Sequence, residues 1–156
     1  MAAIRVPRYL AESATASGED DLRAWVARLH ETVADFACRW SLRVGEPFEP
    51  GGRCSWVAPA TDAAGTDLVL KVGYRSPGGE ERDEAAGLRL WNGNGAVRLH
   101  AAHDSAAAYG LLLERCRPGT ALGQVVPEAE QDQVVARLLR KLWAQPHEGY
   151  QFRPLD

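Results

Sequence analysis

The sequence contains little cysteine, little lysine and no excess of positive charge. Its three cysteines, Cys38, Cys54 and Cys116, are odd in number and widely spaced, which fits neither a disulfide framework nor a zinc knuckle and predicts buried or idle thiols. A net charge of −3 at pH 7 argues against nucleic acid or an anionic membrane as the main partner, because phosphate groups attract concentrated positive charge. No uncharged apolar run approaches a membrane span, and the first eight residues lack the apolar core of a secretion signal. We therefore expect a cytoplasmic protein.

The shortage of lysine is more informative than the net charge or the overall composition. Of the 18 basic residues, 16 are arginine and two are lysine, Lys71 and Lys141. A sequence so rich in arginine would use arginine wherever a solvated cation is sufficient, so each lysine suggests a place that needs a compact ammonium group. The 156 residues are 46% hydrophobic and 25% charged, which is enough apolar content for one folded domain.

Periodicity and turn residues predict an order of helix, three strands, helix, two strands and helix. The predicted helices cover 19–38, 79–91 and 127–143, and the predicted strands cover 41–48, 54–60, 67–74, 96–102 and 109–115. Residues 1–18 show little periodicity and predict a lead-in, with Ser17 as the N-cap of the first helix. The run NGNG at 92–95 predicts a left-handed stop after the middle helix. Short turns between strands favour an antiparallel sheet with the middle helix lying across it, which is an α+β fold.

Two charged residues stand among apolar neighbours. In the strand at 67–74, a period of two places Lys71 on the same face as Val69. From this strand alone, a lysine on the solvent side of a half-exposed sheet is the favoured interpretation, although the preference for arginine elsewhere weakens it. In the helix that follows, Glu84 shares a face with Leu88 and Trp91, and a carboxylate on a core-facing stripe needs a cation such as Lys71. The alternative is that Glu84 belongs to a solvated acidic face with the glutamates just before it.

A glycine turn joins the first two predicted strands. The run GGRCSWV at 51–57 can bring backbone N–H groups and a serine hydroxyl against a phosphate. Two glycines between strands are usually only a hairpin, so this pattern is weak by itself. Together with the lysine strand, the glutamate helix and two further strands, it gives the order of a protein-kinase-type N-terminal lobe, in which the lysine holds nucleotide phosphates and the glutamate orients it.

The sequence from about the first predicted helix to Trp143 resembles, more specifically, the aminoglycoside phosphotransferases of the streptomycin 6-kinase and hydroxyurea phosphotransferase branch. The resemblance rests on the order and spacing of six segments, RWSLRVG at 39–45, GGRCSWVAP at 51–59, LVLKV at 68–72, DEAAGL at 83–88, WNGNGAVRL at 91–99 and LLLERCRPG at 111–119. It implies a kinase-like N-terminal lobe with a five-stranded antiparallel sheet and one packed helix. A helix flanks this lobe on its N-terminal side, and a helical segment follows it.

The resemblance also implies a function and a set of site residues. The function is transfer of a phosphoryl group from ATP to a hydroxyl of an aminoglycoside or related small molecule, which gives antibiotic resistance. Lys71 would bind the α- and β-phosphates, with Glu84 as its ion-pair partner. The other implied nucleotide-binding residues are Gly51, Gly52 and Ser55 in the positioning loop, Val57 and Val69 against adenine, and the Glu114 carbonyl and Cys116 N–H at the adenine edge.

The departure from the family lies in its catalytic segment. A His-Gly-Asp loop, followed by an asparagine and a metal-binding aspartate, does not occur in these 156 residues. His103-Asp104 lacks the glycine and falls in a predicted strand turn, and His147-Glu148-Gly149 does not fit either. We therefore expect 1–117 to form the lobe with its hinge and 118–156 to start a truncated helical lobe, with no metal site in this chain.

Two functional hypotheses follow. The first is the ATP-binding portion of a small-molecule phosphotransferase, inactive alone and able to bind its acceptor only with the missing lobe. The second is a non-catalytic kinase-like lobe that acts as a remnant or an interaction module. In either case the helix at 127–143 carries an apolar side without an evident partner, and self-association through it is expected. That side consists of Val134, Val135, Leu138, Leu139 and Leu142.

Overall fold

Three helices precede the sheet, where the sequence predicted one. The structure, a computed structural model, describes residues 4–16, 18, 20–75 and 81–144. Helix α1 covers Arg8–Ala16, α2 covers Asp20–Ala27 and α3 covers Leu29–Arg39. The sequence did not reveal α1 because it buries only Leu10 and Ala14, which is too short a pattern for its period to be recognised.

The prediction of a single helix at 19–38 was wrong at Arg28. The N–H of Arg28 donates to the carbonyl of Trp25 at 3.0 Å, an i→i+3 bond that tightens the chain, and its φ of −104° and ψ of 11° lie outside the helical region. Trp25 and Leu29 are both buried on either side of this break. Their spacing of four residues is what a continuous helix would show, so the break is invisible in the pattern. The predicted cap, Ser17, lies outside the described residues.

Five strands form one antiparallel sheet, as predicted. They are β1 (Arg43–Val44), β2 (Ser55–Thr61), β3 (Asp67–Tyr74), β4 (Leu99–Asp104) and β5 (Ala108–Glu114). Their order across the sheet is β1-β2-β3-β5-β4, so that β3 lies at the centre between β2 and β5. Helix α4 (Glu81–Trp91) connects β3 to β4, and α5 (Leu122–Val125) and α6 (Glu128–Leu142) follow β5. The α+β prediction is confirmed, and the arrangement is consistent with a kinase-like N-terminal lobe.

The predicted strand bounds are accurate at the centre of the sheet and poor at its edges. The strand predicted at 41–48 is reduced to two residues, partly because Pro47 has no N–H to donate. The N–H of Phe48 still donates to the Val57 carbonyl at 2.9 Å, which keeps this segment beside β2. The strand predicted at 96–102 starts three residues later, after irregular backbone that follows α4. Helix α5, with four residues, was not predicted at all.

The sheet separates two apolar layers. On β3, Leu70 and Val72 face one side, here called the back face, where α1, α2 and α3 pack. Val69 and Lys71 face the other side, the front face, where α4 packs, so the predicted period of two is observed. The buried front-face cluster consists of Ala85, Leu88, Tyr109, Leu111 and Leu113.

The end of α4 and the end of α6 lie against each other. Asn92 has a φ of 43° and Gly95 a φ of 91°, which confirms the predicted left-handed stop. A Cβ on Gly95 would lie 3.0 Å from the Cβ of Lys141, so the glycine allows α6 to approach. The indole N–H of Trp91 donates to the carbonyl of Leu142 at 2.9 Å. The C-terminal end of α6 is therefore docked on the end of α4.

The three cysteines form no disulfide, as predicted, and all three are exposed, so the interpretation of them as buried thiols was wrong. In the described part of the chain, no helix combines the length and the apolarity that crossing a membrane requires.

The remainder of α6 is open. None of its residues is buried. Val135, Leu138 and Leu139 are between 39 and 45% exposed, and Val134 and Leu142 are half-buried. The apolar side of this helix was expected to lack a packing partner. This is confirmed for three of its five residues and holds in part for the other two. Adjacent exposed apolar side chains on one helix favour association with another surface.

We expect the wild-type chain to self-associate as its concentration rises, because burial of this side of α6 removes apolar area from water. Leu139→Glu should return it to a monomer by placing a charge in the contact. Light scattering over a concentration series measures the molar mass directly. Ala27→Glu, which adds the same charge at an exposed position of α2, is the control and should leave association unchanged. A wild-type chain that stays monomeric at every concentration would contradict the expectation.

Candidate functional site

The two charged residues singled out from the sequence meet on the front face. Nζ of Lys71, from β3, lies 2.6 Å from Oε1 of Glu84, from α4. Their side chains are 22 and 33% exposed, so the pair is at the edge of the apolar cluster and not in open solvent. Leu88, one helical turn after Glu84, is buried in that cluster, which is why the carboxylate faces the sheet. The ion pair is present as the spacing predicted, and the interpretation of Lys71 as a solvated surface lysine is wrong.

Val57 and Ser55 lie on the same face as the pair. In the register of β2 and β3, Val57 is directly opposite Lys71, and Ser55 is opposite Gly73. Side chains opposite each other in an antiparallel pair point to the same side of the sheet. Ser55 is buried and Val57 is half-buried. The structure therefore brings these two predicted site residues beside Lys71.

A cavity of about 360 Å³ lies along the same face, between the sheet and the segment that follows β5. Val69 and Leu113, opposite each other on β3 and β5, form part of its wall. The predicted residues Glu114 and Cys116 also line it. Lys71, two residues after Val69, is next in line on the front face. The predicted residues thus fall into two groups, one around the ion pair and one around this cavity.

Several residues of the cavity wall, Phe48 and Val97 among them, were missed by the sequence analysis. Phe48 and Val97 both line it, and Phe48 is 42% exposed although it is aromatic. The signal that could have found Phe48 is its position directly before the glycine turn. Val97 follows the left-handed stop after α4 and gave no signal. An exposed phenylalanine over an apolar cavity is suited to covering a flat apolar ligand.

The two glycines of the turn differ in their surroundings. Gly51 has a φ of 78°, and a Cβ there would lie 2.4 Å from the Cβ of Pro7, so only glycine fits. A Cβ on Gly52 would lie 2.9 Å from the hydroxyl oxygen of Ser55. Gly51 is thus packed against the N-terminal segment, whereas Gly52 lies beside the Ser55 hydroxyl, where a side chain would fit only after a shift. The N–H of Tyr9 donates to the Pro50 carbonyl at 3.0 Å, which holds the residue before Gly51 against the N-terminal segment.

The N-terminal segment holds the glycine turn from outside. Glu49 accepts from the guanidinium of Arg5 at 2.8 Å and from the N–H of Arg8 at 3.2 Å. The indole N–H of Trp56, on β2, donates to the Arg5 carbonyl at 3.0 Å. Sequence analysis missed this connection because it uses backbone groups and single side chains far apart in the sequence, which produce no periodic pattern. The turn is therefore supported by a segment far from it in the sequence.

The segment after β5 is tied to the start of β3. Nη1 of Arg115 donates to one oxygen of Asp67 at 2.9 Å, and Nε of Arg117 donates to the other at 2.8 Å, with a further short contact from Nη2 of Arg117. The hydrogen bonds from Arg117 above all, and those from Arg115, hold the pKa of the Asp67 carboxyl below its ordinary value, although loss of hydration opposes them. Two arginines on one carboxylate fix the rim of the cavity.

Glu114 is held at the edge of the sheet by Arg98. The N–H of Glu114 donates to the Arg98 carbonyl at 2.9 Å, and the N–H of Arg98 donates to Oε2 of Glu114 at the same distance. The Glu114 side chain thus accepts a hydrogen bond from the backbone of Arg98. Any contact between Glu114 and a ligand would therefore come from the Glu114 backbone. Among the described residues, no group of three or more histidine, cysteine, aspartate or glutamate side chains could hold a metal ion. His147-Glu148-Gly149 lies outside the described residues.

Comparison with known proteins identifies the family of the chain. A family model described as "Aminoglycoside/hydroxyurea antibiotic resistance kinase" matches residues 39–156. The chain belongs to this family. It is 38% identical to the streptomycin 6-kinase of Streptomyces griseus over 143 residues, which are 92% of this chain and 45% of that protein.

Two further relatives agree with the family assignment. The streptomycin 6-kinase of Streptomyces glaucescens is 35% identical over 92% of this chain and 45% of its own length. The hydroxyurea phosphotransferase of Kitasatospora aureofaciens is 35% identical over 90% of this chain and 41% of its own length. The resemblance stated from the sequence is therefore confirmed. The chain spans about half the length of the curated relatives it matches.

In this family member, Asp67→Asn should loosen the rim of the cavity, because a neutral amide gives each arginine a weaker acceptor. We expect faster hydrogen exchange of the amides at 115–119 and unchanged exchange in β3. Since the pKa of Asp67 is lowered from 3.8, the arginine contacts are fully present above that value and are lost as the pH falls through the folded-state pKa. Protection at 115–119 should therefore fall with acid in the wild type and not in the variant. The control is Asp35→Asn, an exposed position on α3, and equal protection in wild type and Asp67→Asn would contradict the assignment.

Proposed function

We propose that this chain is the nucleotide-binding portion of an ATP-dependent phosphotransferase that acts on a hydroxyl of a small molecule of the aminoglycoside or hydroxyurea type, in the cytoplasm. The observation that carries the proposal is the ion pair between Lys71 and Glu84 on the front face, beside an open apolar cavity. Family membership supplies the reaction class, since the relatives are named as kinases and a phosphotransferase.

In this proposal the nucleotide lies along the front face. The ammonium of Lys71, oriented by Glu84, binds the α- and β-phosphates as a compact point charge. The adenine occupies the cavity between Phe48 and the wall formed by Val69 and Leu113, which suits a flat apolar ring with polar edges. Lys71 and Val69 are on one face of one strand, so phosphates and base can be bound by the same molecule.

The backbone supplies the remaining contacts. The Glu114 carbonyl and the Cys116 N–H read the edge of the adenine at the rim that Asp67 fixes. The hydroxyl of Ser55, which lies beside Gly52, contacts a phosphate, with Val57 next to Lys71 against the base. We assign Gly51 to the shape of the turn, because its own surroundings are filled by Pro7.

Catalysis and acceptor binding need residues that this sequence does not contain. No His-Gly-Asp segment is present to supply a base for the acceptor hydroxyl. We place the lobe with its hinge at 1–117 and assign 118–156, which includes α5 and α6, to the beginning of a helical second lobe. The small-molecule acceptor then binds only when the rest of that lobe is present. Neither nucleic acid nor a membrane is a partner in this proposal.

The second candidate is a non-catalytic kinase-like lobe that acts as an interaction module. The observation that favours it is the exposed apolar side of α6, extended by Trp143, which is 80% exposed. An association surface of this kind fits a module that binds a protein. The two candidates differ in whether this chain binds ATP through Lys71.

Lys71→Met should weaken the binding of ATP in the presence of Mg²⁺ by about tenfold or more, since it removes the cation that meets the phosphates. Lys71→Arg should weaken it too, because a forked guanidinium does not reproduce a compact ammonium. The free energy of unfolding should change by less than about 1 kcal/mol, because desolvation offsets much of the attraction in a partly exposed pair. Titration calorimetry and denaturant unfolding measure the two quantities.

Lys141→Met is the matched control, since it removes the other lysine of the chain, and it should bind ATP as the wild type does. Equal ATP affinity of Lys71→Met and wild type would overturn the nucleotide assignment. Absence of saturable ATP binding by the wild-type chain would favour the interaction module.

The 156-residue chain should not phosphorylate streptomycin or hydroxyurea, because its sequence contains no His-Gly-Asp segment to supply the base for the acceptor hydroxyl. An assay with purified chain, ATP and Mg²⁺ should give no phosphorylated product above the blank, while the streptomycin 6-kinase of Streptomyces griseus, run alongside with streptomycin, should give product. Turnover that persists through repurification of the chain would show that the expectation is wrong.

A further inference from the structure

We infer that Tyr109 is a positioning residue of this site, which holds the second carboxylate oxygen of Glu84 and thereby fixes the ion pair with Lys71. Gly73 is the residue that gives Tyr109 the space to do so. Neither residue was singled out from the sequence. The consequence for nucleotide binding rests on the proposed function, whereas the geometry itself does not.

The carboxylate of Glu84 is contacted at both of its oxygens. Lys71 donates to Oε1 at 2.6 Å, and the hydroxyl of Tyr109 donates to Oε2 at 3.3 Å. The second contact is longer than the usual distance between a hydroxyl and a carboxylate, about 2.7–2.8 Å, so it is the weaker of the two. It is nevertheless the one that limits rotation of the carboxylate, because a single contact at Oε1 leaves the group free to turn about its last bond.

The contacts come from two neighbouring strands. Lys71 lies on the central strand β3 and Tyr109 on β5, and both point to the front face toward α4. The ring of Tyr109 is buried in the apolar cluster with Ala85 and Leu88 of α4. A phenylalanine would fill the same apolar space, and the hydroxyl of tyrosine adds the contact to Glu84. A buried hydroxyl loses its bonds to water, so this position favours tyrosine only if a partner is provided.

Gly73 explains how the ring reaches that place. It is directly opposite Tyr109 in the register of β3 and β5. A Cβ on Gly73 would lie 2.0 Å from Cε1 of Tyr109 and 2.4 Å from its hydroxyl oxygen, far inside van der Waals contact. The φ of Gly73 is not in the left-handed region, so the backbone does not require glycine here. A glycine inside a strand weakens it, and the close approach of the tyrosine ring accounts for its presence.

The test uses the fact that the chain has two lysines. Brief treatment with an amine-reactive acetylating reagent, followed by mass spectrometry, gives the labelling rate of Lys71 relative to that of Lys141. The contact with Glu84 covers Nζ of Lys71, so a loosened carboxylate should expose it. We expect Tyr109→Phe to raise the rate at Lys71 about threefold, as the loss of one weak hydrogen bond implies, and to leave Lys141 unchanged. A purely structural role of Tyr109 would raise both rates together.

A second pair of variants connects the effect to Glu84. In a Glu84→Ala background, Tyr109→Phe should have no further effect on Lys71, because both carboxylate oxygens of Glu84 are already absent. Gly73→Ala, which displaces the ring, should reproduce the effect of Tyr109→Phe. Tyr74→Phe makes the same substitution on the back face of β3 and should change neither rate. Unchanged labelling of Lys71 in Tyr109→Phe, or additive effects of the Tyr109 and Glu84 substitutions, would overturn the inference.

This test needs no nucleotide, so its outcome is separate from that of the proposed function. If Lys71→Met keeps full ATP affinity while Tyr109→Phe changes only the labelling of Lys71, the positioning role stands and the nucleotide assignment falls. If Lys71→Met loses ATP binding and Tyr109→Phe leaves the labelling unchanged, the nucleotide assignment stands and the positioning role falls.

Discussion

The packing of α4 depends on how the Glu84 carboxylate is accommodated against an apolar face of the sheet. Glu84 is on the side of α4 that packs on the front face, where its carboxylate is partly shielded from water and gains from a cationic partner. Lys71 from the central strand is that partner. The buried neighbours of the pair stabilise the packing of α4 on the sheet, while the pair itself sets the position of α4 along β3. The site and the packing of the helix are thus parts of one arrangement.

Charged contacts between segments that are distant in the sequence also fix the rim of the site. Asp67 at the start of β3 holds the segment after β5, and Glu49 beside the glycine turn is held by the N-terminal segment. Each contact joins residues more than 40 positions apart. The cavity and the turn are therefore shaped by connections that surround the sheet and not by the loops alone.

The sequence allowed the centre of this arrangement to be predicted, because local patterns determine it. The strand with Lys71 alternates between two faces and is bounded by turn residues, and the stripe of Glu84, Leu88 and Trp91 has helical spacing. The break at Arg28 could not be predicted, since it keeps the four-residue spacing of a continuous helix. The contacts of Asp67 and Glu49 could not be predicted either, because they depend on strand register and on backbone donors far away in the chain.

The exposed thiols give this molecule a set of natural probe positions. Cys116 lines the rim of the cavity and Cys54 lies between the glycine turn and β2, whereas Cys38 is on α3, on the back side of the sheet. A small thiol-reactive fluorophore attached at Cys116 would sense changes in polarity at the cavity, and one attached at Cys54 would sense changes beside the glycine turn. The same dye at Cys38 would provide the reference signal. The surroundings of each thiol can therefore be followed spectroscopically after removal of the other two, without introducing any new cysteine.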